Sequence, residues 1–399
     1  MASRSSLHGL DVLNFTLADV QTGVGPFLAI YLAAHHWDEQ RVGIALTVRG
    51  IAGIITQTPA GALVDSLRAK RALIGGAVAL VAVGAAIIAV LPAFWPVTAA
   101  QVLIGGASSV FIPAVCAVSL GLVGRNAFDA RQGRNQTWNS AGNVVAAITM
   151  GVIGYAIAER GVFVFVIVLA VATILALRGI APDEIDHQVA RGAEHTQLAR
   201  GAGLRTLFRD RTLVIFLACS VMFHFANAAM LPLLGEMLGK GQGRSSMLFM
   251  SACVVTTQLV ITAIASLAGR RAKTWGRKPV LLVAFAALPI RGVLYTLTTN
   301  TVLLVGIQVL DGIASGIFGV VSVLVIADLT RGSGRFNLTL GAITAAVGIG
   351  AALSQLVAGS IVHHWGTNVG FMFLAGVATV AFVLLLAFMP ETRDAKPKA

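Results

Sequence analysis

Gln101-Val-Leu-Ile-Gly-Gly-Ala-Ser-Ser109 returns 207 positions later as Gln308-Val-Leu-Asp-Gly-Ile-Ala-Ser-Gly316. Each copy lies inside a long apolar run. Neighbouring positions repeat at nearly the same offset: Gly61 and Lys70 match Gly269 and Lys278, while Asp19 and Pro26 roughly match Asn227 and Pro232. The chain therefore reads as two copies of one unit, each about half its length.

Outward from these stretches, apolar runs of the length a bilayer crossing needs, about 20 residues, follow one another along each copy. Twelve are expected, at roughly 10–33, 42–64, 72–92, 96–122, 137–158, 161–180, 212–235, 246–268, 279–298, 301–327, 338–362 and 369–389. The composition agrees: 57% of residues are apolar and 12% charged, whereas soluble domains carry about a quarter charged residues. The first apolar stretch is too long for a cleavable signal and contains Asp19, so it reads as a retained helix. The organisation expected is residues 1–180 as an N-terminal six-helix bundle, 181–210 as a cytoplasmic linker, 211–390 as a C-terminal six-helix bundle and 391–399 as a cytoplasmic tail.

A formal net charge of +12 would suggest nucleic acid in a soluble protein. Here the basic residues sit in short clusters between apolar runs, where they set orientation. Of 29 Lys and Arg residues, only Arg41, Arg160, Lys240 and Arg244 fall on one side, and Arg49 and Arg291 fall within spans. The rest share the other side with both termini, which the positive-inside bias makes cytoplasmic. No nucleic acid is expected as a partner. Cys116, Cys219 and Cys253 each lie in an apolar run, with no disulfide framework or metal spacing. The His35-His36 and His363-His364 pairs adjoin Trp37 and Trp365 and read as interfacial residues rather than metal ligands. No cofactor, metal or enzymatic chemistry is expected, and without a G-x-x-x-x-G-K-[ST] loop ATP is not the driving force.

One loop carries a specific resemblance. Gly61-Ala-Leu-Val-Asp65-Ser-Leu-Arg68-Ala-Lys70-Arg71 resembles the G-x-L-x-D-[RK]-x-G-[RK]-[RK] signature of the major facilitator superfamily, with Arg68 at a usual glycine. The second copy, Gly269-Arg-Arg-Ala-Lys273-Thr-Trp-Gly276-Arg277-Lys278, has Lys273 at the acid's place. The resemblance covers essentially the whole chain. It implies an all-α membrane protein of twelve transmembrane helices in two six-helix parallel repeats, with the substrate site at the midplane between them. It also implies a conformational lock from Gly61, Asp65, Lys70, Arg71, Gly269, Gly276, Arg277 and Lys278, with an acid at Asp65 and none at Lys273. The arrangement looks closest to the drug-export branch. Gln101 stands where many proton-driven exporters have arginine, and the fifth helix lacks the Gly-Pro motif of drug antiporters.

Charges deep in a span are costly and face a cavity or a partner. Asp19, Arg49, Arg291 and Asp311 qualify. At about 1.5 Å of rise per residue, Arg291 and Asp311 lie at similar heights on neighbouring helices, so a buried pair is expected, either fixing helix packing or opening to substrate. Arg49 lies about 12 Å above Asp19 by the same rise, which leaves Asp19 a desolvated acid able to titrate. Asp19 and Asp311 are the candidates for proton coupling. Gln57, Asn139, Asn143, His224, Asn227 and Gln258 join Arg49 and Arg291 as candidate cavity residues.

The expected function is alternating-access secondary transport of a small organic solute, coupled to protons and directed to export, by a monomer in the cell (inner) membrane. The lipid bilayer, protons and a small-molecule substrate are its expected partners. One alternative is proton-coupled uptake of an organic anion or metal chelate. Another is a non-transporting receptor or lipid-handling protein on the same fold.

Overall fold

A computed structural model describes residues 2–22, 24–190, 210–330 and 336–393, with the side chains of 19–22, 24, 125–126, 129, 242 and 336–338 outside the described set. All regular secondary structure among the described residues is helical. In a medium without water each backbone polar group must be satisfied within its own segment, and the helix does this.

Backbone contacts divide the chain into two units. The first comprises Met1–Trp37, Ile44–Ala199 and Leu238–Ser251, and the second Asp38–Gly43, Arg200–Met237 and Ala252–Ala399. The short pieces 38–43 and 238–251 fall in the other unit from the sequence on either side of them. Gly43 lies against the Gln355 backbone and Gly239 against Ile30, each within the unit it joins.

The first unit holds α1 (Arg4–Thr22), α2 (Val24–Ala34), most of α3 (Glu39–Ser66), α4 (Lys70–Val90), α5 (Phe94–Ser108), α6 (Phe111–Ala156) and α7 (Gly161–Arg178). A 3-10 turn at Pro182–Glu184 and the short α8 (His187–Ala190) follow. α1 packs on α6 and α7, and α4 on α5 and α7. Two glycines set this geometry. Gly124 has φ 70° and ψ 174°, a conformation open essentially to glycine alone, and it breaks α6 into two helical arms. A Cβ at Gly142 would lie 2.9 Å from the Phe15 carbonyl carbon, so α1 and the second arm of α6 touch backbone to backbone.

The start of the expected linker is folded rather than solvated. Asp186 N–H donates to the Gly121 carbonyl at 3.0 Å, and Ile185 and Ala190 are buried. Residues 191–209 of the expected linker lie outside the described residues.

The second unit holds α9 (Arg211–Ala228), the start of α10 (Met230–Gln242), most of α11 (Ser245–Thr274), α12 (Arg277–Leu297), α13 (Thr301–Leu329), α14 (Phe336–Trp365) and α15 (Thr367–Phe388). Its core packs α12 on α13 and α15, and α9 on α14 and α15, around Phe223, Phe285 and Phe318. The Asp210 carboxylate caps α9 and the Asn300 amide caps α13, each accepting from two free N–H groups of the first turn.

Among the described residues, helix covers most of each expected crossing. Nine stretches among the described residues are long and apolar enough to span a membrane, including Phe94–Gly124 and Arg211–Gly241, while Gly25–Ala34 is apolar but shorter. The expected spans outside those nine are α1 with α2, α3, and the second arm of α6. Their polar load explains it: they carry Asp11, Asp19, Arg49, Gln57, Asn139 and Asn143.

Candidate functional site

In the second unit, side chains from four helices close on one guanidinium. Arg291 of α12 is fully buried and Asp311 of α13 is 7% exposed. Arg291 Nη1 donates to Asp311 Oδ1 at 2.8 Å and to Asn227 Oδ1 of α9 at 2.5 Å. Its Nη2 donates to Gln308 Oε1 at 3.3 Å and its Nε to the Tyr295 hydroxyl at 3.0 Å. Thr257 of α11 closes the ring, its hydroxyl 3.2 Å from Asp311 Oδ2 and 3.4 Å from Gln308 Oε1. Pro289, one half-turn before Arg291, removes a helical donor and loosens α12 at that level.

The pair expected from helix heights is thus present. Asn227 is part of it, and so is Thr257, which the sequence offered beside Gln258; Gln308 and Tyr295 join them, and the sequence did not mark those two as site residues. Gln308 Nε2 is buried with no hydrogen-bond partner among the described residues. That leaves one amide donor beside Arg291 unsatisfied.

The same crossing in the first unit carries no charge. At the repeat offset, Arg291, Tyr295, Gln308 and Asp311 correspond to Gly84, Ile88, Gln101 and Ile104. A Cβ on Gly84 would meet Ile104 Cγ1 at 2.6 Å, so these helices face each other at the same two positions. Gln101 is fully buried, and both its amide atoms lack a partner among the described residues. The fold therefore assembles this crossing without charge, and helix packing alone does not require Arg291 and Asp311.

The other candidates distribute as follows. His224 of α9 is half-buried, its Nδ1 3.2 Å from the Ser220 carbonyl and its ring edge-on to Phe318 at 4.7 Å. Gln258 is half-buried one residue beyond Thr257. In the first unit, Asn143 Nδ2 donates to Asn139 Oδ1 at 3.3 Å on the arm of α6 that Gly142 presses against α1. Arg49 is half-buried and Gln57 exposed, both on α3. Asp19 lies in α1, and its side chain is outside the described residues.

A second charged cluster escaped the sequence reading. Asp11 of α1 is buried and bridges Arg131 and Arg134 of α6, the latter at 2.6 Å. Arg131 Nε donates to Asn135 Oδ1 at 2.7 Å, and Asn135 donates in turn to Ser119 at 2.8 Å. Both arginines read as orienting loop charges. Their spacing with Asn135 (i, i+3, i+4) was the available signal, since it places all three on one helix face.

The lock residues also need revision. In the first copy Asp65 is exposed and makes no hydrogen bond or ion pair among the described residues. Lys70 is buried and caps the end of α3 by donating to the Val64 and Leu67 carbonyls at 2.6 and 3.2 Å. Arg71 Nε is buried without a partner among the described residues, and the space beside Gly61 is open. In the second copy the acids come from distant sequence. Asp328 at the end of α13 pairs with Arg277 at 2.9 Å. Glu391 accepts from the backbone N–H groups of Arg277 and Lys278 at 2.8 and 3.1 Å and also binds those of Thr392 and Arg393. Gly276, at φ 106°, makes room for that carboxylate, since a Cβ would lie 2.8 Å from Glu391 Cδ. Gly269 meets only Val320, at 3.6 Å. The second copy is therefore anchored by acids although it has Lys273 in the acid's usual place.

Burial pushes the Glu391 carboxyl up, but the four N–H donors outweigh it and hold the group below its ordinary 4.5. A depressed carboxyl pKa contributes stability above the unfolded value and loses it as pH falls through the folded one. The expected result is that wild type exceeds Glu391→Gln in thermal stability at pH 6, by about 1 kcal/mol for a helix-terminal carboxylate. The gap should close as pH falls below 4.5. A gap independent of pH, read from melting curves of both proteins, contradicts the clamp.

Comparisons with known proteins bear on what this arrangement does. The model of the Major Facilitator Superfamily matches residues 10–272 and 254–399. An uncharacterised MFS-type transporter of Mycobacterium tuberculosis (strain H37Rv) is 47% identical over 391 residues, covering 97% of this chain and 94% of that protein. Among solved structures, the nucleoside transporter NupG superposes with a TM-score of 0.79 at 16% identity, covering 96% of this chain and 99% of the other. A D-xylose-proton symporter superposes with a TM-score of 0.73 at 14% identity, covering 99% of both chains. At these identities the structural likeness concerns the fold.

Proposed function

Since this chain belongs to the Major Facilitator Superfamily, a family of multi-pass membrane transporters and not enzymes, we propose that it is a proton-coupled secondary transporter exporting a small amphiphilic organic compound across the cell membrane by alternating access. The observation that carries the siting is the node around Arg291, a buried charge network kept in one unit where its repeat counterpart is Gly84 and Ile104. A network that packing does not demand, and that costs several kcal/mol to desolvate, is explained by use. In the second unit the solute is held by Asn227 of the node with His224 and Gln258 beside it. Asp19 carries the coupling proton. Asp311, held by Arg291, orients the node. Coupling fits the likeness to a D-xylose-proton symporter.

A second reading, uptake of an organic anion or chelate, draws on the unpartnered Gln308 amide beside Arg291. Together they form a donor pair suited to a carboxylate. The two readings separate in proteoliposomes: a pH gradient drives ethidium, an amphiphilic cation, in the export orientation under the first, and labelled citrate in the opposite sense under the second. If a pH gradient moves neither solute, nor any member of a wider amphiphile panel, the coupling proposal fails.

Orientation follows the charge asymmetry, with both termini cytoplasmic. Single cysteines at Ser66 and Gly332 should react with an impermeant thiol reagent only from the cytoplasmic side, and one at Gly241 only from outside. Labelling of Ser66 from outside would reverse the assignment.

A further inference from the structure

Where α1 begins, the first unit forms an open cavity of about 470 Å³ that the transport reading does not use. Its polar lining is Arg4, His8 and Asp11 from α1 and Arg131 and Arg134 from α6, and its remaining walls, Leu7, Val123, Ala127 and Ala130, are apolar.

The charges do not balance. Asp11 is the one carboxylate among the described lining residues, and it is shared between Arg131 and Arg134. Arg4 is exposed and makes no hydrogen bond or ion pair among the described residues. Apart from His8, the described lining holds three guanidiniums against one carboxylate. Glu184, near the start of α1, is turned to Ser3, accepting from its N–H at 2.9 Å and its hydroxyl at 3.1 Å. Those bonds hold it below the ordinary carboxyl range, and it does not line the cavity.

The site is also built in advance. Arg131 is 6% exposed and fixed by Asn135 and Asp11, so its planar fork is positioned before any ligand arrives. Asp11 thus acts as a brace that aligns two arginines rather than as a neutraliser.

We propose that this cavity binds a phosphate-bearing anion, either the headgroup of an anionic phospholipid in the adjoining leaflet or a soluble phosphate. Guanidinium forks match phosphate oxygens in geometry and charge. Basic pockets between helices at a membrane's cytoplasmic face are where such headgroups bind. The apolar walls favour the lipid, because a bare inorganic ion leaves Leu7 and Val123 unused while a glycerol backbone and the first methylenes of its chains lie along them. The proposal is independent of the transported solute.

The test is retention of lipid by the purified full chain, read by native mass spectrometry after equal exposure to phosphatidylglycerol and phosphatidylcholine. Inorganic phosphate is titrated in parallel by thermal shift. Arg4→Gln removes the unpaired cation, and Ala130→Glu sets an acid in the wall without touching Asp11. Ala127→Glu repeats the second change should Ala130→Glu fail to elute as a folded species. Wild type is expected to retain phosphatidylglycerol over phosphatidylcholine. Each variant should weaken that retention by about five-fold, as the loss of one favourable charge near a membrane does. Stabilisation by phosphate that the variants weaken, without lipid preference, assigns the site to a soluble phosphate. If wild type shows no lipid preference and no phosphate response, or if the variants behave as wild type, the proposal is overturned.

Discussion

Arg291→Ala is expected to destabilise the folded protein by roughly 3–5 kcal/mol, the usual effect of deleting one partner of a buried ion pair. Asp311 then sits 7% exposed with Thr257 as its one donor among the described residues, and the Asn227 and Gln308 carbonyl oxygens each lose the Arg291 donor. Arg291→Leu combined with Asp311→Leu should recover much of that loss, because an apolar pair at this crossing is what the first unit already builds from Gly84 and Ile104. The readout is thermal unfolding of the two singles and the double in one detergent. A double variant as unstable as the singles combined would mean that the residues do not act as a pair. The functional half of the prediction is sharper: the stable double variant should fold and fail to transport, since it keeps the packing and discards the node. Transport at wild-type rate by Arg291→Leu with Asp311→Leu returns the network to a purely architectural role.

Asp19→Asn should abolish accumulation driven by a pH gradient and leave exchange of solute for solute largely intact. The amide mimics a permanently protonated carboxyl, and exchange moves no net proton. Desolvation raises a buried acid toward neutral pH, whereas an acid paired with arginine resists protonation. Asp311 is instead bonded to Arg291 at 2.8 Å within the node. Asp311→Asn should therefore impair folding, or driven transport and exchange together. Should Asp19→Asn depress binding, exchange and driven transport equally, Asp19 is a substrate contact and not the coupling group.

Much of the architecture was legible because its causes are local. A bilayer demands long apolar segments, and the repeat from Gln101 to Gln308 marks two copies of one unit. The Arg291–Asp311 pair could be foreseen from helix rise alone, as both residues lie a similar number of turns from the same membrane face. Tyr295 and Gln308 could not, because a neutral polar residue in an apolar run gives no sign of what its partner is. Gln308 was visible only as a repeat position, and its role emerges from the contrast with the unpartnered Gln101. The Asp11 cluster was hidden for a different reason. Arg131 and Arg134 lie among the basic residues that orient the chain, and nothing in one sequence separates an orienting arginine from one paired with an acid 120 residues earlier. Asp328 and Glu391 supply acids to the second loop copy across 51 and 114 residues, distances at which motif spacing is silent. The helix break between α9 and α10 falls inside an apolar run that reads as continuous.

The most direct measurement of the central claim is proton movement itself. Proteoliposomes carrying pyranine inside report internal pH when a solute is added outside, and the readout serves for any solute the protein carries. With wild type, addition of a transported amphiphile such as ethidium should change internal pH in proportion to the solute that enters. With Asp19→Asn the solute should still exchange while internal pH stays flat. Solute entry into wild-type vesicles with no change in internal pH, or an identical pH response from Asp19→Asn, would contradict a proton-coupled carrier working through Asp19.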